Sequence, residues 1–333
     1  MDGDSKKRSA EPAAPVSAID PVDRFIARLY RSGLSVSGDF RQWALQELAH
    51  VVPHDGALWG SGIFAERRFH SYTLTNLPPS FPATLEATTQ VNPLIPAIVG
   101  NLDCPVDSRL VVPDRQFFNS EIYKQAFAPH GIARILATAH LDRRSGLYSM
   151  VSIYRRDRAN IFSEAEKAQQ KHIVFHMFNA ASHAFFLRLV RERGRPAGSA
   201  AAVVDRMGCF HQVQPQFLDL LEAHFPPKNP PVLPFPLPAV GETEHIGPLC
   251  ARAEPSADMF LVYLWKAGPL DKLTQREREI VFAVAQGLSF KQAAKKIGLA
   301  PSTVANHLYR VYRKLGVYSR TELAQLVHPQ SES

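Results

Sequence analysis

Ser302, Asn306, Tyr309 and Arg313 recur at steps of four, three and four residues near the C-terminus. At about 100° per residue, that spacing places all four on one face of a helix. Their chemistry is recognition rather than catalysis: hydroxyls, a carboxamide with paired donor and acceptor, and a guanidinium fork. Ala305 and Arg310 flank the face, and no acid interrupts it. A solvated helix face usually alternates Glu with Lys, whose charges compensate. A flat, cationic, hydrogen-bonding face instead suits a polyanion whose edges can be read. The local charge agrees. From Asp271 to Ser333 ten Lys/Arg stand against five acids, which gives +5 of the chain's +7.

Roles follow from side-chain geometry. Asn306 can pair two-pronged with adenine, and the Ala305 methyl can touch a thymine methyl. Tyr309 reaches a base edge or a phosphate. Arg310, Arg313 and Lys314 on this helix, Lys291 and Lys295 on the preceding one, and the hydroxyl of Thr303 are placed for the DNA backbone, and Ser302 is a further DNA-binding candidate on the same face. His307 falls nearer the apolar side, as a packed histidine or a DNA contact. Nothing catalytic stands beside this: the chain has no phosphate-cradling, nucleophile-elbow or H-E-x-x-H motif, so it is expected not to be an enzyme. His172 and His176, four apart on a helical stretch, lack a third ligand, and no metal or cofactor is expected.

The elements that must hold this face are marked by their own punctuation. Thr274–Glu277, Ser289–Gln292 and Ser319–Glu322 are three S/T-x-x-E/Q capping patterns, each ahead of an apolar-periodic run. A further helix starts at Pro301, where Val304, Leu308, Val311 and Leu315 form the apolar stripe. Gly287 and Gly298 stand where the first two helices should end. The spacing predicts four short helices, the second and third disposed as a helix-turn-helix.

The residues Leu273-Thr274-x-Arg276-Glu277, Gly287-Leu288-Ser289, Thr303-Val304-x-x-His307, Tyr312-x-Lys314-Leu315-Gly316-Val317 and Ser319-Arg320 resemble the LuxR-type (GerE-like) DNA-binding domain across all four helices. The resemblance implies a transcription regulator that binds DNA as a dimer, with the third helix in the major groove. Two positions depart from that pattern. Ala300 replaces the usual Ser or Thr cap of the third helix, and Ala305 replaces a common Lys or Arg, so base preference does not transfer.

The rest divides by composition. Residues 1–19 lack an apolar core for a signal peptide and are expected to be a disordered tail. Residues 20–193 mix helices with alternating strands, including 56–64, 69–77, 133–141 and 147–156, and a helix is expected over 81–98. A long helix opens at the Ser163–Glu166 capping pattern. Its Ile173, Phe175, Phe178 and Phe185 exceed one covered face, which predicts pairing between two copies with Phe178 on the paired surface. The order predicts an α+β sandwich and resembles GAF-like sensor domains. A linker at 194–200 leads to 201–265, whose strand, Asp-x-x-Gly turn, strand and helix resemble a PAS domain. Seven prolines in residues 226–238 break that likeness, so a truncated or degenerate PAS-like module is expected. The helix-turn-helix domain then spans 270–328.

Candidates for a sensor pocket are Trp59, Phe64, His70, Tyr72, Tyr123 and Phe127, aromatic groups near strands and an inner helix. The Trp, Tyr and Asp order of autoinducer-binding relatives does not align here. Expected partners are double-stranded DNA, a second copy, a small-molecule effector and RNA polymerase, without a membrane. The alternative is a DNA-binding adaptor whose sensor fold recognises another protein. Cys104, Cys209 and Cys250 form no paired spacing, which with the absence of an apolar leader predicts a cytoplasmic location.

Overall fold

A computed structural model describes residues 20–32, 39–64, 68–193, 195–196, 198–229, 231–256 and 258–327. The expected tail at 1–19, positions 194 and 197 of the expected linker, and residue 328 lie outside the described residues. The chain forms two compact units, Met1–Gly194 and Arg195–Ser333.

The first unit begins with α1 (Pro21–Ser32) and α2 (Phe40–Val51), then β1 (Gly56–Ile63) and β2 (Arg68–Thr75). Short pieces follow: α3 (Phe81–Ala87), α4 (Leu94–Gly100), β3 (Val106–Asp107), α5 (Ser108–Val111) and α6 (Asp114–Asn119). The unit closes with β4 (Arg134–Asp142), β5 (Leu147–Arg155) and α7 (Glu164–Arg193). The antiparallel sheet has the order β2-β1-β5-β4-β3. Successive strand residues point to opposite faces. Trp59, Val151 and Ile153 therefore pack under α1, α2 and α7, while Leu58, Met150 and Tyr154 pack under the short helices. This is the expected α+β sandwich, with an apolar core on each side of one sheet.

The single helix expected over 81–98 is broken. The Thr88 hydroxyl bonds back to the carbonyls of Thr84 and Leu85, which ends α3. Asn92 is extended (φ −89°, ψ 104°) because it precedes Pro93, so α4 must start afresh.

The capping pattern of α7 forms as expected, with Ser163 N–H donating to Glu166 and Glu166 N–H donating to Ser163 Oγ. The apolar surplus on α7 is smaller than the sequence suggested. Ile173 is buried, and Phe178 packs edge-on against Trp59 at 5.6 Å. Only Phe175 and Phe185 of the four are exposed. Phe178 is half-buried and packs against the core, because the sheet face carrying Trp59 faces this side of α7.

The second unit opens with β6 (Ala200–Val204), β7 (Phe210–Val213) and α8 (Pro215–Glu222), followed by β8 (Thr243–Ile246), β9 (Leu249–Ser256) and β10 (Met259–Lys266). Its sheet order, β7-β6-β10-β9-β8, repeats the second-first-fifth-fourth-third arrangement of the first unit. The Asp205–Gly208 turn works as its residues predict. Gly208 takes φ +80°, and Asp205 Oδ1 accepts the N–H groups of Met207 and Cys209. The sheet has five strands among the described residues. The proline-rich stretch crosses beside the β6–β7 turn, where Leu233 N–H bonds Gly208 C=O and Leu233 and Phe235 are buried. These apolar side chains pack where a proline chain cannot add a strand.

Four helices complete the unit: α9 (Gln275–Ala285), α10 (Phe290–Ile297), α11 (Pro301–Leu315) and α12 (Arg320–Val327). Ile280, Val284, Ala293, Val304, Leu308, Val311 and Leu323 share their core. Gly298 at φ +73° turns the chain from α10 into α11. Among the described residues, no helix is long and apolar enough to cross a membrane.

Candidate nucleic-acid interface and ligand cavity

The outer face of α11 forms as its spacing predicts. Val304, Leu308 and Val311 are buried, while Ser302, Asn306, Arg310 and Arg313 are exposed and Tyr309 is 65% exposed. Thr303, Ala305 and His307 are half-buried at the edges of that face. The helix begins at Ala300, whose backbone is extended and whose side chain offers no acceptor. Only the Ala300 carbonyl serves the first turn, accepting the Thr303 and Val304 N–H groups. Pro301 suits the first helical position because its missing N–H would have no partner there.

The basic residues divide into two groups. Arg276 pairs with Glu279 and donates to the Ile297 carbonyl, the last of α10. Arg320 donates to the carbonyls of Val284 and Leu288, tying the end of α9 to the start of α12. Lys314, assigned from sequence to a phosphate, instead reaches both oxygens of Glu277 at 2.8 and 2.7 Å. Glu277 is buried, caps the first turn of α9 through Thr274 N–H, and needs a cation there. Burial alone would raise its pKa, but the Lys314 and Thr274 hydrogen bonds outweigh it and hold the carboxyl below its ordinary range. Lys314 is thus a brace between α9 and α11. By contrast, Lys291, Lys295, Arg310 and Arg313 are exposed and form no ion pair among the described residues. Unpaired positive charge is thus available on α10 and the outer face of α11.

The first unit holds a cavity of about 700 Å³ between β2, β4 and β5 on one side and α3, the turn after it and α4 on the other. That volume lies in the range of small-molecule sites. Of the six aromatic candidates, Phe64 and Phe127 line it. Trp59 does not, since it points to the opposite sheet face against Phe178. Tyr72 stands 48% exposed, and Tyr123 packs against Phe117 and Phe118 beside the cavity. His70, on the outer strand β2, is half-buried and lies outside the lining. The residues sequence reasoning missed are Glu86, Phe69, Asn92 and one face of β5, Tyr148-Met150-Ser152-Tyr154. The period-two pattern of β5 was the available signal. Burial pushes the Tyr148 and Tyr154 hydroxyls above the ordinary tyrosine range, so both remain neutral donors. Tyr148 donates to Met150 Sδ at 3.4 Å.

Among the described residues, no group of three His, Cys, Asp or Glu side chains could hold a metal ion. The His172 and His176 rings touch on α7, and His176 Nδ1 lies 3.0 Å from the Tyr30 hydroxyl.

The family model for GerE, bacterial regulatory proteins of the luxR family, matches residues 271–327. Transcriptional regulatory protein UhpA of Salmonella typhimurium is 45% identical over 58 residues, which are 17% of this chain and 30% of that protein. The probable HTH-type transcriptional regulator GfsR of Streptomyces halstedii is 42% identical over 69 residues, 20% of this chain and 28% of that protein. The match thus spans under a third of the length of either relative. The crystal structure of Escherichia coli SdiA superposes with a TM-score of 0.37 at 12% identity, covering 92% of this chain and 94% of that one. A likeness that low transfers neither ligand nor mechanism. The last four helices are a luxR-family DNA-binding domain.

Proposed function

We propose that the protein is a sequence-specific, DNA-binding transcription regulator whose first unit binds a small molecule and so biases DNA affinity. One observation carries this reading: α11 presents Asn306, Tyr309, Arg310 and Arg313 on an exposed, acid-free face, on a helix whose other cation, Lys314, is held by Glu277. In this reading Asn306 and Ala305 meet base edges. Ser302, Thr303, Lys291, Lys295, Arg310 and Arg313 meet phosphates. One such helix covers few base pairs, so two copies bind half-sites about one helical turn apart. The setting is the cytoplasm, the downstream partner is RNA polymerase, and no catalytic step enters. The adaptor alternative requires a sensor fold that has lost its cavity, and a cavity of about 700 Å³ favours the ligand reading. The test is selection of binding sites from chromosomal DNA by the full-length protein, followed by footprinting. A near-palindromic site is expected. Equal affinity for selected and random DNA, or full-affinity protection of a single half-site by a monomer, would overturn the proposal.

A further inference from the structure

The cavity in the first unit has an uneven polarity. Its sheet side is apolar or neutral: Phe69, Ile135, Ala137, Met150, and the hydroxyl groups of Tyr148, Ser152 and Tyr154. Its helical side adds Leu85, Leu94, Ile98 and the uncharged polar groups of Thr89, Gln90 and Asn92. Among the described residues, no Lys, Arg or His lines it, and Glu86 is its one ionisable carboxylate.

Glu86 is fixed rather than free. Its Oε1 accepts the Phe69 backbone N–H at 3.1 Å, which anchors the carboxylate to β2 at the cavity wall. Phe69 is fixed in turn, because its ring lies over Gly60, where an added Cβ would come within 2.3 Å of it. A bare glycine in a central strand, an aromatic ring seated on it and a carboxylate held by that residue's backbone form one assembly. Among the described residues the second carboxylate oxygen, Oε2, has no hydrogen-bond partner, and Glu86 lines the cavity. Among the described lining residues no cation offsets Glu86, so an anion placed here would be repelled by its carboxylate. A group carrying N–H donors would instead form a charge-assisted hydrogen bond.

We infer that the cavity takes a small molecule with an apolar body and an amine-type N–H donor directed at Glu86. The inference rests on the cavity being the ligand site of the proposed regulator, and it adds the charge class of the ligand. The N–H group binds Glu86 Oε2, and the body lies along Phe69, Met150 and Ile135.

The test uses the full-length protein and three probes with the same body: 4-phenylbutylamine, 4-phenylbutanol and 4-phenylbutyrate. Binding is read by thermal shift and by isothermal titration, for the native protein, Glu86→Gln and Ala137→Phe. Glu86→Gln keeps an acceptor for Phe69 N–H, and Ala137→Phe fills part of the cavity. The expected order is amine, then alcohol, with no binding of the carboxylate. Glu86→Gln should weaken the amine at least tenfold and leave the alcohol within twofold, while Ala137→Phe should weaken both. Equal or tighter binding of 4-phenylbutyrate, or amine affinity unchanged in Glu86→Gln, would overturn the charge class while leaving the cavity a ligand site. Failure of all three probes to bind the native protein at millimolar concentration would overturn both readings.

Discussion

Lys314→Met separates the two roles a basic residue on α11 can have. Glu277 is 4% exposed, and its carboxylate accepts from Lys314 at 2.7 and 2.8 Å and from Thr274 N–H at 2.8 Å. Methionine keeps the side-chain stem but leaves a buried carboxylate with only its capping hydrogen bonds. Breaking a fully buried pair costs about 3–5 kcal/mol. The Lys314 side chain is 41% exposed, so water screens part of the interaction, and about 1–3 kcal/mol is the expected loss. At about 1.4 kcal/mol per tenfold, local opening of α9 and α11 should rise roughly 5- to 150-fold. Hydrogen exchange of the full-length protein, followed over 275–285 and 301–315, reads that change. The pH dependence has a definite sign. Glu277 has a lowered pKa in the folded state, so its contribution is present above the unfolded carboxyl pKa of about 4.3 and is lost as pH falls through the lower folded value. The gap between native and variant should therefore close on acidification below about pH 4. In DNA binding, Lys314→Met should lower affinity with no change in the slope of log affinity against log salt. Unchanged exchange protection together with a slope reduced by about one would show that Lys314 serves a phosphate and that the brace is incidental.

Three further outcomes are expected. Asn306→Ala should cost ~1–3 kcal/mol on the selected site and little on random DNA, whereas Arg313→Ala should weaken both and flatten the salt slope by about one; equal losses on both DNAs for both variants would place the reading face elsewhere. Gly60→Ala should lower the stability of the first unit by about 1–3 kcal/mol, read as a lower midpoint in thermal unfolding, because Phe69 cannot keep its seat; an unchanged midpoint would show that the ring moves freely. Phe178→Glu should disrupt the fold, since Phe178 packs on Trp59, whereas Phe175→Glu, at a site 51% exposed, should leave circular dichroism unchanged. If the exposed side of α7 pairs copies, Phe175→Glu also weakens self-association in sedimentation, and an unaltered dimer would exclude that surface.

The DNA-binding domain was legible because its signals are local. Thr274, Ser289 and Ser319 each find their acid or amide three residues on, within one helical turn, so the sequence alone places them together. The third pattern differs in one detail, because the second oxygen of Glu322 takes the N–H of Tyr318 rather than that of Ser319. What stayed hidden depends on partners far along the chain. Glu277 reads as a capping acid, and nothing within a turn of it announces that Lys314, 37 residues later, will complete its shell. The cavity was hidden for a related reason. Alternation shows that Trp59 and Leu58 face opposite sides of a strand, but not which side the long helix will cover. Choosing the conspicuous aromatics therefore selected Trp59 and passed over the alternating face of β5. The contact of Phe178 with Trp59 was hidden by the same gap, since a helix's apolar excess can be judged only after its covered face is known.

The second unit adds a link that motif reading does not supply. Asp271, at the entry to the DNA-binding domain, accepts Gly268 N–H at 2.8 Å and the Trp265 indole N–H at 3.2 Å through Oδ2. Its backbone carbonyl accepts from His245 Nε2 at 3.2 Å. A carbonyl can only accept, so Nε2 is the donor there, and the other ring nitrogen, Nδ1, lies 3.5 Å from Cys250 Sγ. Burial and the Asp271 carboxylate push the Cys250 thiol up to about 11, so it keeps its proton. The contacts run from the Cys250 thiol through His245 to the Asp271 carbonyl. Strands β8 and β10 contribute His245 and Trp265, which both bond Asp271, and Cys250 on β9 joins through His245. These bonds tie the last strand and the β8–β9 hairpin to the segment that leads into α9.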